Sequence, residues 1–123
     1  MRYKREEPFR YEFNPPLSCT FSIVEIDNKN INTGNADGHI IDLSPKGVKL
    51  TSKLNIPLGK QEVKIKLNFR INIDMIYVVG ILVWRKELNH LGFQYGVKFV
   101  NISVLPEVIM EELKTFIKQK SYQ

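Results

Sequence analysis

Two short segments of this sequence combine residue types that can hold a nucleotide. The first is Asp42-Leu43-Ser44-Pro45-Lys46-Gly47. Alternate residues of an extended chain share a face, so Asp42 and Ser44 point the same way. Gly47, having no Cβ, lets the chain turn close to a ligand. The second segment is Lys4-Arg5-Glu6-Glu7-Pro8-Phe9-Arg10, with two guanidinium groups. An arginine fork grips guanine O6 and N7, stacks on the ring or pairs with phosphate. A carboxylate accepts from the N1–H and N2–H₂ edge of the same base. A carboxylate, a hydroxyl and two guanidiniums therefore suit a guanine nucleotide. The same residues also make an ordinary Asp/Ser turn beside a charged tail, and residue types alone leave both readings open.

Other chemistries find little support. His39 and His90 have no neighbouring cysteine or serine in a nucleophile context and read as ordinary strand or turn residues. There is no Walker loop and no Gly-x-Gly-x-x-Gly run. Cys19, His39 and His90 are too few and too widely spaced for a structural zinc site, so no metal is expected. A single cysteine excludes an intrachain disulfide framework and points to a reducing compartment. No apolar run approaches the length of a membrane span, and the charged start MRYKREEPFRYEF lacks an apolar signal core. The expectation is a soluble cytoplasmic domain that binds rather than catalyses and does not insert into membranes. Its net charge of +5 favours anionic partners without naming one. Lys60, Lys64, Lys66 and Arg70 form a basic stripe that either tracks a phosphate backbone or is a solvated face. Aromatics do not interleave with these cations, so nucleic acid is an unlikely partner.

The elements that must carry these residues follow from periodicity. At 123 residues the chain is one domain, long enough to bury a self-sufficient core. Residues 1–16 show no period and close on Asn14-Pro15-Pro16, which reads as an irregular N-terminal arm. Strand-like segments then run through 17–26, 38–43, 48–52, 63–71, 75–86 and 91–100, with a loop at 27–37; the fifth of them is a nearly continuous apolar run with a bend or bulge suggested at Gly80. Val63, Ile65, Leu67, Phe69 and Ile71 alternate with polar residues as a half-buried strand should. Ser44-Pro45-Lys46-Gly47 suits a type I turn, and Gly47 is expected at positive φ, opening a bulge at the hairpin corner. Six short strands with internal glycines predict a closed antiparallel β-barrel over 17–102. From 103 to 120 the apolar residues Leu105, Val108, Ile109, Leu113, Phe116 and Ile117 follow helical spacing, giving a C-terminal helix over one barrel mouth. Trp84 can stack on a base at the barrel surface or pack in the core or against the helix; packing is the expectation.

With these residues in place, the chain resembles the PilZ family, the bacterial receptor domains for cyclic di-GMP. That family's pattern is an Arg-x-x-x-Arg arm followed by Asp/Asn-x-Ser-x-x-Gly. Asp42, Ser44 and Gly47 fill the second motif. Gly80-Ile81-Leu82-Val83-Trp84 and Gly96-Val97-Lys98-Phe99 are similar to two later family strands. The arm departs by one residue, since four residues rather than three separate Arg5 from Arg10. The resemblance implies a mainly β fold, a six-stranded barrel with a C-terminal α-helix. It also implies a non-catalytic second-messenger receptor without a cofactor. Its ligand, cyclic di-GMP, would meet Arg5, Arg10, Asp42, Ser44 and Gly47, with Lys4 and Trp84 in reserve. Ligand would reorder the arm and pass a signal to an unidentified protein partner. The alternative is a PilZ-like interaction module that no longer binds nucleotide.

Overall fold

The computed structural model describes residues 9–100 and 105–120. Its strands are β1 (Tyr11–Ile26), β2 (Lys29–Asn30), β3 (Ala36–Ser44), β4 (Gly47–Ser52), β5 (Val63–Arg70), β6 (Met75–Glu87) and β7 (Phe93–Val100), followed by helix α1 (Leu105–Lys120). Every pairing is antiparallel. The order β1-β3-β4-β7-β6-β5 closes on itself through a β1–β5 pairing, so six strands form a barrel and β2 lies outside it on β1. Closure leaves the barrel strands without the unpaired edges of an open sheet.

Alternation decides which side chains fill the interior. Val63, Ile65, Leu67 and Phe69 of β5 are all buried, as are Ile76, Val78 and Leu82 of β6 and Tyr95, Val97 and Phe99 of β7. Tyr95 brings a hydroxyl into this core, and both of its bonds are made. It accepts from the Ile56 N–H at 2.8 Å and donates to the Leu54 carbonyl at 2.6 Å, tying the β4–β5 connection to the barrel. Burial pushes the Tyr95 hydroxyl pKa up from its ordinary value. Cys19 is also interior, and burial, then the charge of Asp37, pushes its thiol up to about 12.

Helix α1 buries Ile109 and Leu113 in the barrel core. Phe116 meets Tyr11 and Phe13 of β1 edge-on, with ring centroids 5.8 and 5.6 Å away. Asn72, at the tip of the β5–β6 hairpin, donates to the Glu112 carbonyl at 2.8 Å and so fixes the middle of the helix.

The first barrel strand begins earlier than its sequence suggests. Residues 11–16, expected in the irregular arm, belong to β1: Tyr11 pairs with Leu43 and Glu12 with Asp42. The ladder to β3 is interrupted between Glu12 and Leu17, where Pro15 and Pro16 supply no N–H donor. The Pro pair therefore marks an irregularity inside a strand, not its start. The expected loop at 27–37 also contains structure. Asp27 and Asn28, at φ 51° and 67°, make a two-residue turn that pairs β2 back onto β1.

Candidate functional site

The β3–β4 hairpin builds one wall of a cleft of about 490 Å³ on the outside of the barrel. Its turn is tight. Ser44 stands directly opposite Gly47, Leu43 opposite Val48 and Asp42 opposite Lys49. Leu43 is buried in the core, which puts Asp42 and Ser44 on the outer side of the strand. Ser44 is nevertheless fully buried. Its hydroxyl accepts from the N–H groups of Lys46 and Gly47, each at 3.2 Å, and donates to the Gly47 carbonyl at 3.4 Å. The serine thus satisfies its own turn, and it is not among the cleft-lining residues.

Gly47 does not adopt the left-handed conformation expected of it. The glycines at positive φ among the described residues are Gly34, Gly59 and Gly92. Ser44 pairs directly with Gly47, and the irregularity of this hairpin falls between Ile40 and Asp42 instead of at the corner. A different constraint requires glycine. Gly47 packs so closely on β7 that a Cβ would run into the Val97 carbonyl oxygen. Directly across that contact the Lys46 carbonyl accepts from the Phe99 N–H at 2.9 Å, so the corner is hydrogen-bonded onto β7.

Asp42 is the centre of the cleft's electrostatics. It is only 6% exposed, yet it meets two cations. Arg10 forms a short ion pair and hydrogen bond with its Oδ1, and Lys49 Nζ lies 3.5 Å from its Oδ2. An ionised carboxylate has about four acceptor positions, so these two contacts leave capacity for a base edge. Arg10 comes into place because the Tyr11–Leu43 and Glu12–Asp42 pairs set the start of β1 beside the hairpin. The arginine side chain remains 46% exposed and lines the cleft. Lys46 and Lys98 line it as well. One carboxylate among four cations is a setting for a ligand that carries negative charge and also offers hydrogen-bond donors.

Trp84 completes the opposite side. It is 39% exposed and lines the cleft, not the core or the helix contact. A bulge between Leu82 and Trp84 explains the difference from expectation. Leu82 stays inside, whereas Val83 and Trp84 both reach the outer surface. The indole lies over Gly96, its cross-strand partner, where a Cβ would collide with the ring. An aromatic covering a strand glycine is a known way of shielding exposed backbone, and it leaves the other side of the ring free to stack.

Arg10, Asp42, Gly47 and Trp84 therefore come together, while Ser44 shapes the corner behind them. Arg5 and Lys4 lie outside the described residues. The sequence reading passed over Lys49 and Lys98. A two-residue turn at Pro45-Lys46 places position 49 opposite 42, and the inward Val97 and Phe99 leave Lys98 facing out beside Gly96. Both signals were present in the spacing. A larger cavity of about 780 Å³ lies elsewhere, beneath the proline irregularity of β1 and the last turn of α1, and none of these site residues lines it. Among the described residues no cluster of His, Cys, Asp and Glu fits a metal ion, and no helix is long and apolar enough to cross a membrane.

Comparison with known proteins bears on this geometry. A family model described as PilZ domain matches residues 2–119. The fold is similar to the PilZ domain of YcgR from Escherichia coli, a structure that contains c-di-GMP. The TM-score is 0.66 over 97% of this chain and 95% of that one, at 15% sequence identity. No curated protein matches in sequence.

Proposed function

The chain belongs to the PilZ domain family, and from that premise we propose that it is a non-catalytic receptor for cyclic di-GMP. The observation that carries the reading is the buried Asp42, held between Arg10 and Lys49 in a cleft walled by Trp84 and the Asp42–Gly47 corner. Cyclic di-GMP has two guanines and two phosphates. Asp42 would accept from a guanine N1–H and N2–H₂ edge. Arg10 would grip a second guanine edge or a phosphate, and Lys46 and Lys98 would meet phosphate charge. Trp84 would stack on a base. Gly47 would keep the corner low against β7, and Ser44 would act through the turn that it holds. The YcgR structure supports the reading, because a protein of similar fold is seen with this ligand.

In this account Arg5, with Lys4 in reserve, joins Arg10 over the ligand, and the arm is reordered as it does so. On the same account the one-residue excess in the arginine spacing is taken up near Glu7-Pro8. The reordered arm would then signal to a partner chain. The same spacing favours the alternative reading, a PilZ-like interaction module that has lost nucleotide binding. A calorimetric titration with cyclic di-GMP, using GMP and single-stranded DNA as controls, separates the two. The receptor reading requires saturable binding of cyclic di-GMP alone. Amide exchange at residues 4–12 tests the arm: it should slow on ligand addition, and unchanged exchange in a saturated sample would remove the arm from the site.

A further inference from the structure

The outer face of β6 is apolar where a barrel strand facing water should be polar. Its inner residues Ile76, Val78 and Leu82 fill the core. Its outward residues are Met75, Tyr77, Val79, Ile81 and Val83, and not one of them carries a charge. Tyr77 is 64% exposed, Val83 53% and Met75 40%, and Ile73 just before the strand is 85% exposed. Antiparallel sheets with one solvated face ordinarily alternate apolar inside with polar outside, so this stripe departs from the pattern of its own neighbour β5.

The neighbouring strands frame the stripe with positive charge. On β5, Lys64 stands opposite Ile81, Lys66 opposite Val79, Asn68 opposite Tyr77 and Arg70 opposite Met75. On the other side, Lys98 of β7 also stands opposite Ile81. Lys64 is paired with Glu25 at 3.2 Å, whereas Lys66, Arg70 and Lys98 form no ion pair among the described residues. Lys64, Lys66 and Arg70 of the basic stripe therefore form one border of an apolar strip, which ends at Val83 and Trp84 in the wall of the cleft, while Lys60 lies in the turn before β5.

We propose that the outer face of β6 is a docking surface for a partner protein, through a segment that carries apolar side chains flanked by carboxylates. Charge complementarity selects this occupant. A second copy of the chain would bring its own excess of cations against Lys66, Arg70 and Lys98. The strip is centred on one strand, with a row of cations about 5 Å away on the β5 side and Lys98 on the β7 side, where Val79 instead faces Val100. That geometry fits a row of side chains better than a bilayer. Four of its five outward residues are aliphatic, which gives nucleic-acid bases little to stack on. The proposal rests on the receptor reading only in assuming that output passes to another chain. It gives that output a surface adjoining the ligand cleft.

The test is an unbiased peptide selection on the full chain. Phage-displayed random 12-residue peptides are selected on the immobilised protein and counter-selected on the Tyr77→Ser/Val79→Ser variant. Enriched sequences should combine Asp or Glu with apolar residues. As synthetic peptides they should shift amide resonances of residues 75–81 and bind the double variant, and Lys66→Glu, at least tenfold more weakly. Both variants should retain the native dispersion of amide shifts and the cyclic di-GMP affinity of the parent chain, while Arg10→Ala should keep peptide binding. Loss of nucleotide binding by the parent chain with peptide binding intact would strike the receptor reading alone. Four results would overturn the docking proposal. They are no enrichment over the variant, enriched peptides without carboxylates, shifts confined to other strands, or binding at 75–81 only by phosphatidylglycerol-containing vesicles or an oligothymidine.

Discussion

The two walls of the cleft are built on opposite principles. At the hairpin corner the two end residues, Ser44 and Gly47, are buried and internally satisfied: every hydroxyl bond of Ser44 is made within four residues, and Gly47 sits hard against Val97. The rim groups, Arg10 beside the hairpin and Trp84 across the cleft from it, are 46% and 39% exposed and depend on long-range register for their positions. The corner holds a shape, while the exposed pair presents surface to the cleft. Asp42 lies between them, buried like the corner but charged like the rim. On the proposed reading the Asp42–Gly47 motif mixes a residue that recognises with residues that fold; all three motif positions are buried, and what sets Asp42 apart is its charge and its two cation partners.

This division predicts which substitutions damage the fold and which damage only binding. The largest effect is expected at Gly47→Val, whose Cβ meets backbone that cannot swing away. Overpacking of this kind costs about 3 kcal/mol, a fall of roughly 10 °C in Tm, and it should abolish nucleotide binding too. Calorimetric melting decides it, and an unchanged Tm would show that the corner is soft. Arg10→Ala should do the reverse. Loss of a charge-assisted contact removes about 1.5–3 kcal/mol of cyclic di-GMP affinity, more than tenfold. Its half-exposed ion pair contributes at most about 1 kcal/mol to folding.

Ser44→Ala leaves the N–H groups of Lys46 and Gly47 without their acceptor. The expected loss of about 2 kcal/mol should appear in urea denaturation, with affinity falling only as far as the turn loosens. Trp84→Ala should weaken binding about tenfold, the lower part of the range for one base stack, with little change in stability. Quenching of tryptophan fluorescence by cyclic di-GMP would report the same contact, since the chain has one tryptophan. The smallest effect belongs to Lys64→Gln/Lys66→Gln. These lysines lie outside the cleft lining, and nucleotide affinity should stay within about twofold. A large loss there would mean that the ligand sits on β5.

Much of this organisation was legible in the sequence, for physical reasons that differ from place to place. The strand pattern of β5 is unmistakable because one face is buried and the other is wet. Asp42 and Gly47 were visible because a short turn fixes their relation locally. The start of β1 was hidden because Pro15 and Pro16 look like a terminator when they interrupt only one side of a ladder. For Trp84 packing in the core or against the helix is the expectation, because strict alternation cannot anticipate the bulge that turns both Val83 and Trp84 outward. The glycine at 47 was anticipated for its conformational freedom, and its actual cause, contact with β7, depends on a strand fifty residues away. Lys49 and Lys98 could have been found by carrying the hairpin register and the alternation of β7 one step further.

The central claim is that Arg10, Asp42 and the corner between them bind cyclic di-GMP. Isothermal titration of the full chain against this nucleotide, run in parallel on Arg10→Ala, tests it most directly. The account predicts saturable binding by the parent chain, no comparable binding of GMP or single-stranded DNA, and at least a tenfold loss in the variant with Tm lowered by no more than about 5 °C. Binding curves that coincide for the parent and Arg10→Ala, or a parent chain that takes up no cyclic di-GMP, would contradict it.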